Sequence, residues 1–323
     1  MRKILSIALC LMLLISCIPA LAEESTPVKT GLSFVTTLTS SKDGQAQANI
    51  ALTAVTVDDN GVITSCVIDY VQAKIKFDGT GTLTTDITTE FQSKNELGDG
   101  YGMRKASAIG AEWNEQAAAF ANYCVGKTLD QIKGMAVTED NKPADADLAA
   151  ACTLAVSEFL PGVEDAVNNA THMGAKKGDT IKLVQVSNMS KSKNANGAAD
   201  GQAQVYAHVA VITLDGDVIT SCYIDAVQAT VKFNAEGKIT SDITAPVQSK
   251  NTLKEGYGMK PVSPIGKEWY EQAAGFCAYV TGKTLSEVAG ISIVDGKIAD
   301  ADLAATTTIG IGDFLALIEK AGK

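Results

Sequence analysis

The sequence predicts an α+β fold made twice: two tandem copies of a small domain, each an antiparallel sheet followed by packed helices. Internal repetition is the first observation. VITSCVIDYVQAKIKF from Val62 returns as VITSCYIDAVQATVKF from Val218, and QSKNELGDGYGM from Gln92 returns as QSKNTLKEGYGM from Gln248. IGAEWNEQAAAF from Ile109 returns as IGKEWYEQAAGF from Ile265, and DADLAA from Asp145 recurs from Asp300. A period of about 156 residues is too long for a solenoid unit, so each copy reads as a domain. Strand signals precede helix signals in both copies, which is the α+β order. With 46% hydrophobic and 20% charged residues, the chain has the composition of a folded core.

The elements follow in order. Met1-Arg2-Lys3 and the apolar run Ile4–Ile18 predict an export signal over 1–22, ending in Ala20-Leu21-Ala22. Leu14-Ile15-Ser16-Cys17 gives a second reading, a lipoprotein box with lipid on Cys17. Either way the chain is expected outside the cytoplasmic membrane, secreted or lipid-anchored at the cell surface. Domain one is placed at 29–167, a linker at 168–179, where Asn, Gly and Lys are frequent, and domain two at 180–323. Strands are expected over 50–57 and 62–70, joined at Asp59-Asn60-Gly61, where Asn-Gly predicts positive φ at both turn residues. Alternation continues from Ala73 to Phe77. The Gly-rich loop at 98–102 leads to a helix that buries Trp113, Ala117, Phe120 and Cys124, with Gly126 as its cap. Thr128-Leu129-Asp130-Gln131 and Thr284-Leu285-Ser286-Glu287 read as capping boxes. A last helix follows each DADLAA.

Composition narrows the function. The chain carries a net charge of −10, and removing a signal that holds two basic residues and no acid leaves −12. Phosphate backbones need a basic patch, so nucleic acid is not an expected partner. An anionic membrane surface would repel such a chain, leaving only a lipid anchor as membrane contact. Two histidines, His172 and His208, cannot supply a His-based triad or metal site to each copy. Cys66, Cys124, Cys152, Cys222 and Cys277 show no C-x-x-C spacing and read as buried thiols. The repeated carboxylates Asp69/Asp225 and Asp86/Asp242 read as caps or turn formers. A hydrolytic enzyme lacks a paired nucleophile and base.

Two repeated elements could bind a ligand. Gly100-Tyr101-Gly102 and Gly256-Tyr257-Gly258 set an aromatic between glycines, which suits either a stacked flat ligand or a turn with its tyrosine on the core. Asp300 to Thr308 opens the last helix with small residues and hydroxyls. That suits either an anion at the free N–H groups or an N-cap by Asp300 or Asp302.

The order AVTVDDNGVITSCVID, LGDGYG, then an acidic-small-threonine motif before a final helix resembles the bacterial FMN-binding domain family. That family's motif is Asp-x-x-Ser-Gly-Ala-Thr, with FMN esterified to the threonine by a separate flavin transferase. The resemblance places Asp300, Ala305 and Thr306 on its Asp, Ala and Thr, while Leu303 and Ala304 stand for Ser and Gly. In domain one Asp145 and Ala150 match, Ala151 replaces the threonine, and Thr153 is the nearest one. The resemblance therefore implies FMN, covalent at Thr306 in domain two and not covalent in domain one. It implies an exported electron carrier with a flavin transferase as partner and an unidentified membrane redox partner. Tyr257, or Tyr101 in domain one, would stack on the ring. Gly256 and Gly258 would allow its approach, Trp269 would wall the pocket, and Lys250 or Asn251 would supply polar contacts. The competing reading is a non-catalytic ligand-binding or structural cell-envelope module derived from such a domain.

Overall fold

Alternating side chains give each strand two faces, and both faces are covered. The computed structural model of the protein describes residues 26–323; the signal expected at 1–22, including Cys17, lies outside the described residues. The first half contributes β1 (Pro27–Thr37), β2 (Gln45–Val57) and β3 (Ile63–Lys76). Helices α1 (Lys94–Leu97), α2 (Trp113–Cys124), α3 (Leu129–Lys133), α4 (Ala146–Ala151) and α5 (Leu160–Asn168) follow, then β4 (Thr171–Lys176). The second half contributes β5 (Thr180–Asn188), β6 (Gly201–Asp215), β7 (Val218–Phe233), α6 (Lys250–Leu253), α7 (Trp269–Val280) and α8 (Leu285–Ala289). It ends with the ribbon β8 (Ile293–Val294) and β9 (Lys297–Ile298), α9 (Ala301–Ala304) and α10 (Gly312–Ala321). Sheet orders are β3-β2-β1-β4 and β5-β6-β7, antiparallel throughout. The fold is mixed α and β with antiparallel sheets, as expected.

Strand β2 shows how the layers arise. Ala46, Ala48, Ile50, Leu52 and Ala54 face the other sheet, whereas Val55 and Val57 face the helices with Trp113 and Phe120. Strand β6 divides likewise, Val205, Ala207 and Val209 inward, Ala210 and Ile212 toward Trp269 and Phe314. The result is four layers, helices–sheet–sheet–helices, with one central core drawn from both halves. At its centre the repeat-equivalent Phe77 and Phe233 stack, ring centroids 3.9 Å apart and planes 8° from parallel. Beside them the Leu83 amide donates to Asn194 Oδ1 and the Ile239 amide to Asp43 Oδ1, both at 2.9 Å. Contacts that recur with roles exchanged are the mark of a twofold, self-complementary interface, here within one chain.

The two halves share their central core. Three expectations are corrected: the linker, the strand bounds and the turn. Residues 168–179 include the end of α5 and strand β4, because the free edge of β1 offers backbone partners and Lys29 pairs with His172. Strands β2 and β3 are longer than expected, 45–57 and 63–76 without interruption. At the β2–β3 turn only Gly61 has positive φ, 77°, because Asp58 shapes the loop by accepting from the Asn60 and Val62 amides, both at 2.9 Å. Both capping boxes and the buried face of Trp113, Ala117, Phe120 and Cys124 are as read.

Phe233→Ala, which opens a cavity at this centre, is expected to lower stability by about 3–5 kcal/mol in urea unfolding. Val262→Ala, at a side chain 81% exposed, should change it by less than about 0.5 kcal/mol. Equal effects would remove the Phe pair from its central place.

Candidate functional site

Between each sheet and its helices lies a buried lysine enclosed by three aromatic rings. In the first half Ser93 caps α1 in a reciprocal box with Glu96, and Asp69 Oδ1 accepts from the Asn95 amide at 3.0 Å. Asn95 Nδ2 donates to Ile68 O at 2.9 Å. These bonds pin α1 to β3 and turn Lys94 inward. Its Nζ lies 4.6 Å from the Tyr70 ring, 4.6 Å from Tyr101 and 4.5 Å from Trp113. In the second half Asp225 and Asn251 repeat the pinning, and Lys250 Nζ lies 4.7, 4.5 and 4.7 Å from Tyr206, Tyr257 and Trp269. Ring faces attract an ammonium, by about 0.5–2 kcal/mol per favourable contact.

The Gly-rich loops set the tyrosines. Glu112, at the start of α2, accepts from the Met103 and Arg104 amides, both at 2.8 Å, and Glu268 does the same for Met259 and Lys260. Gly258 takes φ 77°, which favours glycine; Gly256 has neither positive φ nor any atom near an added Cβ, so no close approach requires it. Burial pushes Lys94 and Lys250 down to about 8, against the pull of neighbouring carboxylates. Burial pushes Asp69 and Asp225 up to about 6, although each accepts backbone N–H bonds.

The two boxes are finished differently. Lys250 Nζ donates to Tyr206 Oη at 2.6 Å. No hydrogen-bond acceptor among the described residues reaches Lys94 Nζ. Where the second half has Tyr206, His208 and Ala226, the first has Asn49, Ala51 and Tyr70. His208, 4% exposed, fills the space beside Tyr206 and Phe314, ring centroids 4.3 and 5.8 Å away. Its Nδ1 lies 3.1 Å from Asp313 Oδ2, out of line for a hydrogen bond. The first half instead holds a cavity of about 400 Å³ lined by Lys94, Tyr70, Gln72, Trp113, Glu158 and Phe159, with Asp69 at its wall. Glu158 and Phe159 are the repeat equivalents of Asp313 and Phe314.

The remaining expected site residues lie elsewhere. Asp300 is the N-cap of α9, its carboxylate accepting from the Leu303 amide at 2.9 Å. Thr306 lies beyond the other end of that single turn; its Oγ1 donates to Leu303 O at 3.1 Å, and exposed Ala305 is the C-cap. Thr153 is equivalent to Thr308, and both bind the side-chain oxygen of a buried glutamine, Gln116 or Gln272, through amide and hydroxyl. Tyr257 and Trp269 do meet, but around Lys250; Tyr101 likewise joins Trp113 around Lys94.

These residues do not fit FMN as the resemblance would place it. The Asp300 carboxylate holds the end of α9 where a phosphate would need free N–H groups, and the Thr306 hydroxyl is turned to its own helix. The Tyr257 face is covered by an ammonium. Among the described residues no cluster of His, Cys, Asp or Glu could hold a metal ion, and no helix is long and apolar enough to cross a membrane. Lys94 and the glutamates and glutamines behind the loops escaped the sequence reading, although they stand inside its repeated blocks. Comparison with family models, with curated proteins and with solved structures finds no match.

The buried carboxyls give a signed pH dependence. Asp69 and Asp225 titrate at about 6 when folded and near 3.8 when unfolded, so the folded chain holds more protons between those values. Stability should fall as pH rises from about 4 to 6 and rise again above about 8, where the folded lysines lose protons first. Asp225→Asn should flatten the lower slope by on the order of 2 kcal/mol across that window in urea midpoints. An unchanged slope would contradict the assignment.

Proposed function

We propose that the chain is a non-catalytic ligand-binding module working outside the cytoplasmic membrane, its tandem copies derived from an FMN-binding-like domain. One observation carries this reading: the ring-enclosed lysine occurs in both halves, yet opens to a cavity in the first and is closed by the chain's own side chains in the second. Placement outside the membrane rests on the basic-then-apolar N-terminus.

The test sets this reading against flavin binding with electron transfer. The protein is produced with a flavin transferase and FMN, its absorption spectrum recorded, and the protein precipitated with acid. Colourless protein with no mass increase at the Thr306 peptide is expected. Yellow colour in the pellet, or FMN released to the supernatant, would overturn the module reading in favour of the electron carrier.

A further inference from the structure

The two boxes invite comparison because the second shows what the first lacks. Lys250 is 3% exposed and its ammonium has a phenolic oxygen as acceptor, Tyr206 Oη at 2.6 Å. Lys94 is 8% exposed, its ammonium faces three rings, and its donors have no acceptor among the described residues. Its donors therefore face the cavity, and whatever fills that space, water or a ligand, supplies their acceptor. Nothing at the equivalent of Tyr206 does so. Asn49 is engaged elsewhere, accepting from Gln47 Nε2 at 2.8 Å and donating to Ser40 Oγ at 2.8 Å. Ala51 leaves a methyl where His208 places an imidazole.

The cavity's walls define what would complete it. Trp113, Phe159 and Tyr70 offer aromatic surface, with Trp113 and Phe159 centroids 5.9 Å apart and planes at 63°, so a flat ring packs against one face and one edge. Lys94 offers N–H donors to an oxygen acceptor in the cavity. Glu158 and Asp69 line the same space and oppose an anion, while a carboxylate there can accept a proton donor. A neutral hydroxyl on an aromatic ring meets all three demands, accepting from Lys94 and donating to a carboxylate. The second half carries such a group covalently, as Tyr206. We propose that the first half binds a small neutral phenol in the cavity over Lys94, taking from solution the hydroxyl that the second half supplies from its own chain. This rests on the ligand-binding reading above and names the ligand class for that site.

The chain's only two tryptophans, Trp113 and Trp269, stand one in each box, which makes the test local. Trp269→Phe leaves Trp113 as sole reporter, and Trp113→Phe leaves Trp269. The probe is p-cresol, with toluene as the analogue lacking the hydroxyl. Saturable change in Trp113 emission is expected with p-cresol, at least tenfold weaker with toluene, and no saturable change at Trp269. Lys94→Met should bring the two compounds within about threefold of each other, which a merely structural loss would not do. Thermal shift of the unsubstituted protein by p-cresol over toluene checks the same preference should a tryptophan variant fail to fold. Equal binding of the two compounds, or an unchanged preference in Lys94→Met, would overturn the phenol. A different small molecule that binds at Trp113 while p-cresol does not would overturn the ligand class and leave the module reading standing. FMN retained by the protein would overturn the module reading itself.

Discussion

The sheet-on-sheet packing governs the rest of the molecule. Each sheet is apolar on both faces, so neither half could leave its inner face to water without exposing Ile50, Leu52, Val209, Val231 and the two stacked phenylalanines. Covering one sheet with the other removes that surface at the usual spacing of face-packed sheets. The consequence is directional: with the inner faces used up, the buried repeated lysines lie between sheet and helices. That is where Lys94, Lys250 and the carboxylates beside them are found.

Duplication followed by internal pairing also explains how the copies could diverge. The pinning bonds of Asp69 to Asn95 and of Asp225 to Asn251 are the same in both halves, as are the glutamates that tie each Gly-rich loop to its helix. The differences sit on the adjoining strand pairs. β2 and β6 exchange Asn49 and Ala51 for Tyr206 and His208, while β3 and β7 exchange Tyr70 for Ala226. The large side chain stands on the outer strand in the first half and on the central one in the second, where the space beside the lysine is closed. The frame can stay fixed because these side chains lie on the helix-facing side, away from the shared core.

How much of this the sequence disclosed depends on range. Local signals were legible: the reciprocal capping at Thr128 and Thr284, the one-sided burial of Trp113, Ala117, Phe120 and Cys124, and the order of strands before helices all follow from neighbours a few residues apart. The shared core was not, because Phe77 and Phe233 each read as the end of a strand, and only a partner 156 positions away makes them central. The linker reading failed for a related reason: composition describes a segment's solvation, whereas 171–176 is ordered by the unpaired edge of β1. At the site, the tyrosines and Trp269 were found as aromatic residues near glycines, but their focus, a lysine, was noted only as a polar contact in the second copy. The motif points to threonine, but the hydroxyls of Thr306, Thr153 and Thr308 serve Leu303 O and the two buried glutamines.

A central core drawn from both halves makes the two sequence copies one cooperative body. Scanning calorimetry of residues 23–323 tests it directly. One transition whose calorimetric and van't Hoff enthalpies agree is the result the shared core requires. Two resolved transitions, each with about half the total enthalpy, would mean that the halves unfold on their own and that the central layer does not join them.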